Sequence, residues 1–451
     1  MRTLLILFLI FVSFPLWGQQ FPEFKPARYD EDHSFLEKDT VTTWYKRLKY
    51  GKIGNRAYVG FGGDLRSQYL IKTNEGWSSE LEDGDGFTLT RWLLHADLHL
   101  SENVRFFAEL QSALANGKDM PIPIEENPLG VHQFFVDVRP FPKLPVSLRL
   151  GRQEVAYGSQ RLISYRDAPN SRRAFDGVKA MFANDKMGTD IFYLHAVVDK
   201  VGLFDDTSSP DLSVWGMFSS VPLRKGELSF YYLGFRNATA LFYDGPGMEN
   251  RHTVGARILK KVGNWQYDVE GGYQFGSIGD RNIEAWSTGL AVSYLFDGLK
   301  YSPTLGLKAD FISGDKDPTD QVQQTLNALF PPGAYFGLAA PIAPSNLIDV
   351  HPEATFRFGD TVSFFCDYAL LWRNSRTDGL YRPNMTPFFE LDSGATSRFI
   401  GSQLSGTLSY RPNGHLLFVT GCSWFDAGHY LKEVTEGKDI LFGFVSAQVK
   451  F

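Results

Sequence analysis

The stretch WQYDVEGGYQF, residues 265–275, alternates between apolar and polar side chains. Successive side chains of a strand point to opposite sides, so Trp265 and Tyr267 share one face and Asp268 and Glu270 share the other. The acidic residues stand in the middle of the run, where a buried core would not accept them. The eleven residues exceed the ~5–6 of ordinary strands and match the ~9–11 of a tilted bilayer crossing. The stretch therefore predicts a strand with one face in lipid and one in water.

The same alternation recurs along the rest of the chain. It marks about eighteen segments, and bacterial single-chain barrels have an even number of strands. We therefore predict an all-β fold, namely a single transmembrane antiparallel β-barrel of about 18 strands. The predicted strands are 57–70, 89–100, 104–114, 131–139, 146–154, 175–184, 189–199, 212–222, 227–236, 252–260, 264–275, 285–296, 302–312, 350–358, 361–373, 398–410, 415–426 and 440–451.

The links between these segments alternate in length, as short periplasmic turns and long extracellular loops do in outer-membrane barrels. The predicted short turns are 101–103, 140–145, 184–188, 222–226, 261–263, 297–301, 359–360 and 411–414. The predicted long loops are 71–88, 115–130, 155–174, 200–211, 237–251, 276–284, 313–349, 374–397 and 427–439. The last strand ends on Phe451 with lipid-facing parity. A terminal aromatic of this kind resembles the signal that the barrel-assembly machinery reads, so we expect that machinery as a partner.

The N-terminus predicts export from the cytoplasm. Arg2 precedes an apolar run that ends at a small residue, Gly18, which is typical of a cleaved signal peptide over 1–18; an N-terminal anchor helix is the alternative. Residues 19–56 fall outside the strand pattern and predict a periplasmic lead-in, and 57–451 predict the barrel. The expected location is the outer membrane of a Gram-negative bacterium, in contact with its lipid.

Composition and motifs exclude several functions. A formal net charge of −6 argues against a strongly basic nucleic-acid binder. Cys366 and Cys422 are too few for a disulfide framework, and we expect two free thiols. The sequence holds no Gly-x-Ser-x-Gly, P-loop or His-Glu-x-x-His motif. His95 and His99 lie four residues apart, ~13 Å on a strand, which is too far for one metal ion. We therefore do not expect an enzyme.

Two motifs carry a family resemblance. The first is LGRQEVAYGSQRLI at 150–163, continued by NSRRAFDGV at 170–178. The second is SGDKDPTD at 313–320, continued by Phe-Pro and Tyr-Phe-Gly between 330 and 337. Together with the Tyr-Asp-Glu-Asp at 29–32, they resemble the alginate-export family of outer-membrane porins. The resemblance spans most of the mature chain and implies an 18-stranded barrel. It also implies an arginine-rich constriction, since the best-known member exports the anionic polysaccharide alginate.

The polar faces of the strands supply candidate pore-lining residues, and the first motif adds a basic loop. The inward basic and acidic residues are equal in number, so two interpretations remain. The charges could pair across strands and stiffen the wall, or unpaired arginines could gather at a constriction and steer anions. The predicted pore-lining residues are Arg66, Arg91, Arg105, Arg149, Arg152, Arg161, Arg257, Lys308, Arg357, Asp97 and Glu109.

These features predict a passive channel for anionic solutes, anionic polysaccharides and oligosaccharides among them. A general porin, a porin of other specificity, and a surface receptor or adhesion barrel with an occluded pore are the alternatives. Asp315, Asp317 and Asp320 are candidate calcium ligands in an outer loop, because carboxylate oxygens suit Ca²⁺. The alternative is a solvated acidic loop, and we expect no other cofactor.

Overall fold

The fold is known from a computed structural model, which describes most of the chain between residues 24 and 451. The described residues are 24–39, 43–54, 56–79, 86–141, 143–333, 335–337, 339–340, 342–390 and 394–451. The predicted signal peptide lies outside them. The chain divides after Asp32 into a small first unit and a second unit, His33–Phe451. The first unit holds a 3₁₀ helix, Arg28–Asp30, beside an ion pair between Arg28 Nε and Glu31 Oε1 at 2.7 Å.

The second unit is built around eighteen long strands, and each of them coincides with one of the predicted segments. The pairing runs antiparallel from each long strand to the next. In chain order the strands are β1 Ala57–Lys72, β2 Phe87–Ser101, β3 Val104–Asn116, β4 Asn127–Val138, β5 Val146–Gln153, β6 Phe175–Asn184, β7 Met187–Val198, β8 Thr207–Leu223, β9 Gly226–Phe242, β10 Gly245–Val262, β11 Trp265–Ile278, β12 Arg281–Leu295, β13 Thr304–Ile312, β14 Leu347–Phe358, β15 Val362–Arg373, β16 Phe399–Tyr410, β17 Leu416–Ala427 and β18 Ile440–Lys450.

The sheet closes on itself because the last strand pairs with the first. β18 runs antiparallel to β1 from Asp64 opposite Lys450 to Lys72 opposite Phe442. Beyond this ladder, Gly63 and Phe451 exchange backbone hydrogen bonds of 2.9 and 3.0 Å. Closure gives each of the eighteen long strands a partner on both sides, which a sheet in hydrocarbon requires because no water is present to satisfy the backbone. The predicted 18-stranded antiparallel barrel is confirmed.

The two faces of the wall differ as the alternation predicts. On β2, Leu94 is 45% exposed on the outward face, whereas its neighbour Leu93 is fully buried on the inward face. On β11, Tyr273 is 45% exposed and Gln274 is buried. An outward apolar face and an inward polar face are what a membrane barrel with a wet interior needs.

The eight short turns are confirmed, the shortest being the two-residue links 102–103, 185–186, 224–225 and 263–264. Two of the nine predicted long loops are wrong. β9 and β10 continue to a two-residue turn between Phe242 and Gly245, and β11 and β12 continue to one between Ile278 and Arg281. These strands keep pairing after their apolar alternation has ended, so the sequence pattern alone made them look like loops.

A short N-terminal helix lies at the turn end of the barrel. Helix α1, Trp44–Lys49, begins after Thr43, whose Oγ1 accepts a hydrogen bond from the Lys46 backbone at 3.3 Å. The Tyr45 ring lies 5.5 Å from the ring of His415, in the turn between β16 and β17. Gly60 lets the end of this helix approach β1, since a Cβ there would come within 2.6 Å of the Lys49 carbonyl oxygen. The boundaries predicted for the periplasmic lead-in, 19–56, stay a prediction.

The remaining short elements lie in the links. They are the 3₁₀ helices Ser34–Lys38 and Glu75–Trp77, the strands Gly51–Ile53 and Val322–Gln323, and helix α2, His429–Val434. Gly51–Ile53 pairs with the start of β1, and Val322–Gln323 runs parallel to the start of β12. No helix in the described part of the chain is long and apolar enough to cross a membrane.

Candidate pore constriction

Two of the long outer loops fold into the barrel and meet there. We call 154–174 the first inward loop and 313–346 the second. They pair through an isolated parallel bridge between Ile163 and Phe330, with the Ser164 amide donating to the Phe330 carbonyl at 3.0 Å. Gln274 and Gln403 of the wall donate to carbonyl oxygens of the second inward loop at 2.8 and 3.2 Å. The two loops therefore form a crosspiece between opposite walls.

Arg66 and Arg91 attach the first inward loop to β1 and β2. Arg66 donates to the carbonyl oxygens of Asp167 and Pro169, each at 2.7 Å. Arg91 is fully buried and donates to the Asp167 carbonyl at 3.0 Å and to its carboxylate at 2.8 Å. Both side chains face inward, and their guanidinium groups are occupied by the loop, that of Arg66 by backbone carbonyls and that of Arg91 by backbone carbonyls and the Asp167 carboxylate. Their direct role is to hold the loop.

Asp167 is the acidic residue at this point, and sequence reasoning gave it no role. Its side chain is 54% exposed. Desolvation by the surrounding protein acts to raise the pKa of Asp167, but the charges of Arg91, Arg172 and Arg66 outweigh it and hold that pKa well below its usual range. One carboxylate thus lies among three guanidinium groups that come from the wall and from the far end of the loop.

Arg161 and Lys308 lie on the opposite side of the crosspiece. Arg161 forms an ion pair with Asp310 of β13 and lies 3.7 Å from a carboxylate oxygen of Glu270 on β11. Tyr335 of the second inward loop donates a hydrogen bond to Asp310 at 3.0 Å. The Lys308 ammonium lies 4.3 Å from the centre of the Tyr335 ring. Both inward loops therefore contact the same carboxylate of the wall, that of Asp310.

Closer to the turn end, the inward charges pair across neighbouring strands. Arg105 contacts Asp97 at 2.6 Å and Asp137 at 3.6 Å. Arg149 contacts Asp137 at 2.7 Å, which continues the ladder from β2 to β5. These contacts favour the wall-stiffening interpretation for this group. On the other side of the barrel, Arg257 contacts Asp268 at 2.7 Å with the same effect. At the end of β14, Arg357 is exposed and makes no described ion pair.

The placement of Arg152 in the pore lining is corrected by the structure. Three positions separate it from Arg149 on β5, so the alternation puts the two on opposite faces. Arg152 shares its face with Leu150, 45% exposed, and lies opposite Phe134, 59% exposed. Its guanidinium contacts Asp176 at 2.8 Å. Arg152 is thus half of an ion pair on the outward face of the wall.

The ends of the first inward loop are joined by an ion pair that sequence reasoning did not identify. Glu154 directly follows β5, and Arg172 lies near the return of the chain to β6. Arg172 Nε lies 2.8 Å from Glu154 Oε1, and both side chains are buried. Glu109, a predicted pore-lining residue, is buried behind this pair and accepts a hydrogen bond from Gln133 at 2.9 Å.

The three candidate calcium ligands do not point to one centre. Asp315 is buried, and its amide donates to the Asp378 carboxylate at 2.9 Å. Asp317 and Asp320 accept hydrogen bonds from the amides of Thr319 and Val322, two residues further along the chain, at 3.0 and 2.7 Å. These contacts give the exposed acidic residues a local role in the turns of the loop. Calcium binding stays a prediction.

The family model described as alginate export matches residues 57–439. The chain belongs to the alginate-export family. The match covers nearly the whole barrel, including both inward loops. No curated protein matches the sequence.

Solved structures similar to this alginate-export family member are porins of Pseudomonas aeruginosa. OccK3 (OpdO) has a TM-score of 0.59 at 12% identity, covering 87% of this chain and 95% of that one. OccK11 (OpdR) has a TM-score of 0.57 at 11% identity, with coverages of 87% and 96%. OpdK solved with vanillate has a TM-score of 0.58 at 9% identity, with coverages of 89% and 100%. At such identities the likeness concerns the fold. Family and fold together place the chain in the outer membrane of a Gram-negative bacterium, as a channel.

Proposed function

We propose that this alginate-export family barrel passes small anionic solutes passively through its lumen, past the two inward loops. The charge of the first inward loop carries the proposal. It brings four arginines into the lumen, Arg161, Arg166, Arg172 and Arg173, against two carboxylates, Glu154 and Asp167. Arg161 and Arg166 are paired with Asp310 and Asp199 outside the loop, whereas Arg173 donates to the backbone carbonyl oxygens of Ser164 and Pro331. A low-dielectric constriction concentrates the field of such an uncompensated charge on a passing ion. Nothing in the proposal requires energy coupling or catalysis.

The contacts of the crosspiece favour small molecules over a polymer as the solute that the channel passes. The Ile163–Phe330 bridge and the wall contacts of Arg66 and Arg161 leave little freedom for either loop to move aside. An extended polysaccharide would have to displace these contacts along its whole length. Carboxylate-bearing molecules of small size, such as the vanillate found with OpdK, are the appropriate probes. Guanidinium groups suit such ligands, since they bind carboxylates bidentately.

The test is the reversal potential of the purified channel in planar bilayers under a salt gradient. The wild type should prefer anions. Asp167→Asn removes the exposed negative charge and keeps the carbonyl oxygens that Arg66 and Arg91 bind, so the preference should increase. Arg161→Gln removes a loop charge and should decrease it. A wild-type channel that prefers cations would reject anion selectivity, and a barrel without conductance would favour the receptor or adhesion alternative.

Two further expectations accompany the proposal. We infer that the barrel-assembly machinery inserts the chain, since Phe451 directly follows β18 and its backbone completes the closure with Gly63. Passage of oligosaccharides in a liposome-swelling assay, at rates comparable to those of vanillate, would favour a polysaccharide channel over one for small solutes.

A further inference from the structure

Three metal-ligating side chains converge behind the first inward loop, and a fourth, His95, lies beside one of them, Glu109. They come from neighbouring strands: His95 from β2, Glu109 from β3, His132 from β4, and Glu154 from the residue after β5. All four are buried, with at most 8% of each exposed. Their positions in the sequence are far apart, so only the order of the strands in the barrel brings them together.

An irregularity in β4 directs His132 into this cluster. The register between β3 and β4 shifts so that Glu109 lies opposite Gln133 and Leu110 lies opposite Val131, which leaves His132 as an extra residue. His132 and Gln133 are consequently buried side by side, although they are consecutive in a strand. Such bulges re-aim side chains and are enriched next to functional sites.

The distances fit a single small ion. One ligand atom from each of Glu109, His132 and Glu154 lies within 4.8 Å of the other two. His132 Nε2 lies 2.7 Å from Glu154 Oε1, and His95 Nδ1 lies 3.7 Å from Glu109 Oε2. Ligand atoms bound to zinc at ~2.0–2.2 Å are ~3–4 Å apart. Glu109 Oε2 is buried and accepts no hydrogen bond within the described residues, an arrangement that is costly for a carboxylate unless a cation compensates it.

The surrounding groups orient the carboxylates as an outer shell does in metal sites. The Gln133 amide nitrogen donates to Glu109 Oε1 at 2.9 Å, while its oxygen accepts from the Glu154 backbone at 3.0 Å. Arg172 binds the other side of Glu154, with Nη2 donating to Oε2 at 3.0 Å. Arg172 therefore forms an ion pair with Glu154, one of the two carboxylates of the cluster. Outer contacts of this kind tune the ligands of metal centres.

We propose that His95, Glu109, His132 and Glu154 bind one divalent transition-metal ion of the zinc class. Two imidazole nitrogens and two carboxylate oxygens suit the tetrahedral preference of Zn²⁺ and are poorer ligands for Ca²⁺, which takes six to eight oxygens. The ion connects the first residue of the first inward loop to three strands of the wall. Its role is structural, because it fixes the end of the loop that forms the constriction. This site is independent of the solute that the channel passes.

The experiment uses the full barrel without a histidine tag, refolded in detergent with Zn²⁺ or Co²⁺ and passed over a desalting column. Retained metal is measured by mass spectrometry, and the visible absorption of Co²⁺ reports tetrahedral geometry. We expect about one ion per chain in the wild type. His132→Ala and the isosteric Glu109→Gln should weaken retention on the order of 100-fold.

The matched control is His351→Ala. His351 is also buried in the lumen and lies 3.0 and 3.3 Å from Asp349 and Asp367, but that group contains no second histidine. The control should retain the ion. Folding of each variant is checked by its heat-modifiable mobility on gels. A wild type that retains no metal, or a control that loses as much as His132→Ala, overturns the proposal and leaves a hydrogen-bonded ion-pair network.

Discussion

Leu94 stands on the outward face of β2, where an introduced charge would enter hydrocarbon. Replacing it with arginine near the midplane should cost about 2–4 kcal/mol of barrel stability. Gln68 on β1 faces inward and is only partly buried, so Gln68→Arg is the matched control and should cost much less. Urea unfolding in lipid vesicles measures both. Equal losses for the two variants would contradict the assignment of the faces.

Asp315 provides a prediction about pH. Burial raises the pKa of Asp315 to about 6, and the neighbouring Asp378 acts in the same direction. Burial likewise raises the pKa of Asp378 to about 6. An acid whose folded pKa exceeds its unfolded value favours folding when protonated. Its contribution is therefore complete below about pH 4 and is lost as the pH rises through 6, with a size of about 3 kcal/mol.

The measurement for Asp315 is hydrogen exchange in 313–346 between pH 4 and pH 7, corrected for the intrinsic rate. Protection should fall as the pH rises in the wild type, and Asp315→Asn should flatten this dependence and raise protection at pH 7. Asp317→Asn is the control, because Asp317 is exposed and the hydroxyl of Thr319 lowers its pKa. A flat wild-type profile would show that the buried acids do not control the loop.

At the scale of elements, the first inward loop depends on its two arginine contacts. A hydrogen bond to a charged group contributes about 1.5–3 kcal/mol, and Arg66 and Arg91 together donate several such bonds to 167–169. Arg66→Gln combined with Arg91→Gln should therefore release the loop. Single-channel recordings should show a larger conductance and more open-channel noise.

Arg257→Gln is the control for this double variant, since it removes an ion pair of the wall with Asp268. Its conductance should stay near that of the wild type. If the double variant instead kept the wild-type conductance and changed only ion selectivity, the two arginines would act as pore charges, as the sequence alone suggested.

At the scale of the whole molecule, an even number of antiparallel strands places the start of β1 and the end of β18 on the same side of the membrane. Epitope tags in the loops 117–126 and 199–206 should bind antibody on intact cells, whereas a tag in 411–415 should not. A tag within 320–340 should be hidden despite the length of that loop, because residues such as Thr325 are fully buried in the lumen. The reverse pattern would invert the orientation.

The strand number, the faces of the wall and the alternation of turns and loops follow from the sequence, because the two-residue period is a local property of an extended chain. The period fails where local rules do not apply. It misread 237–251 as a loop, since a register shift between Asn237 and Ala240 breaks the two-residue period there while the pairing continues. The same two-residue period could have located the bulge in β4, because two consecutive polar residues, His132 and Gln133, interrupt the alternation of that strand.

The partners of the charged residues depend on the folded barrel. Arg66 and Asp167 are 101 residues apart in the chain. Nothing near Arg66 in the sequence indicates that a loop carbonyl will accept a hydrogen bond from its guanidinium group. Arg91, Arg105 and Arg149 look alike as inward arginines, yet one holds a loop and two pair along the wall. Electrostatic energy depends on distance and desolvation. The distances between these charges and their desolvation are fixed only once the sheet has closed and the loops have folded into it.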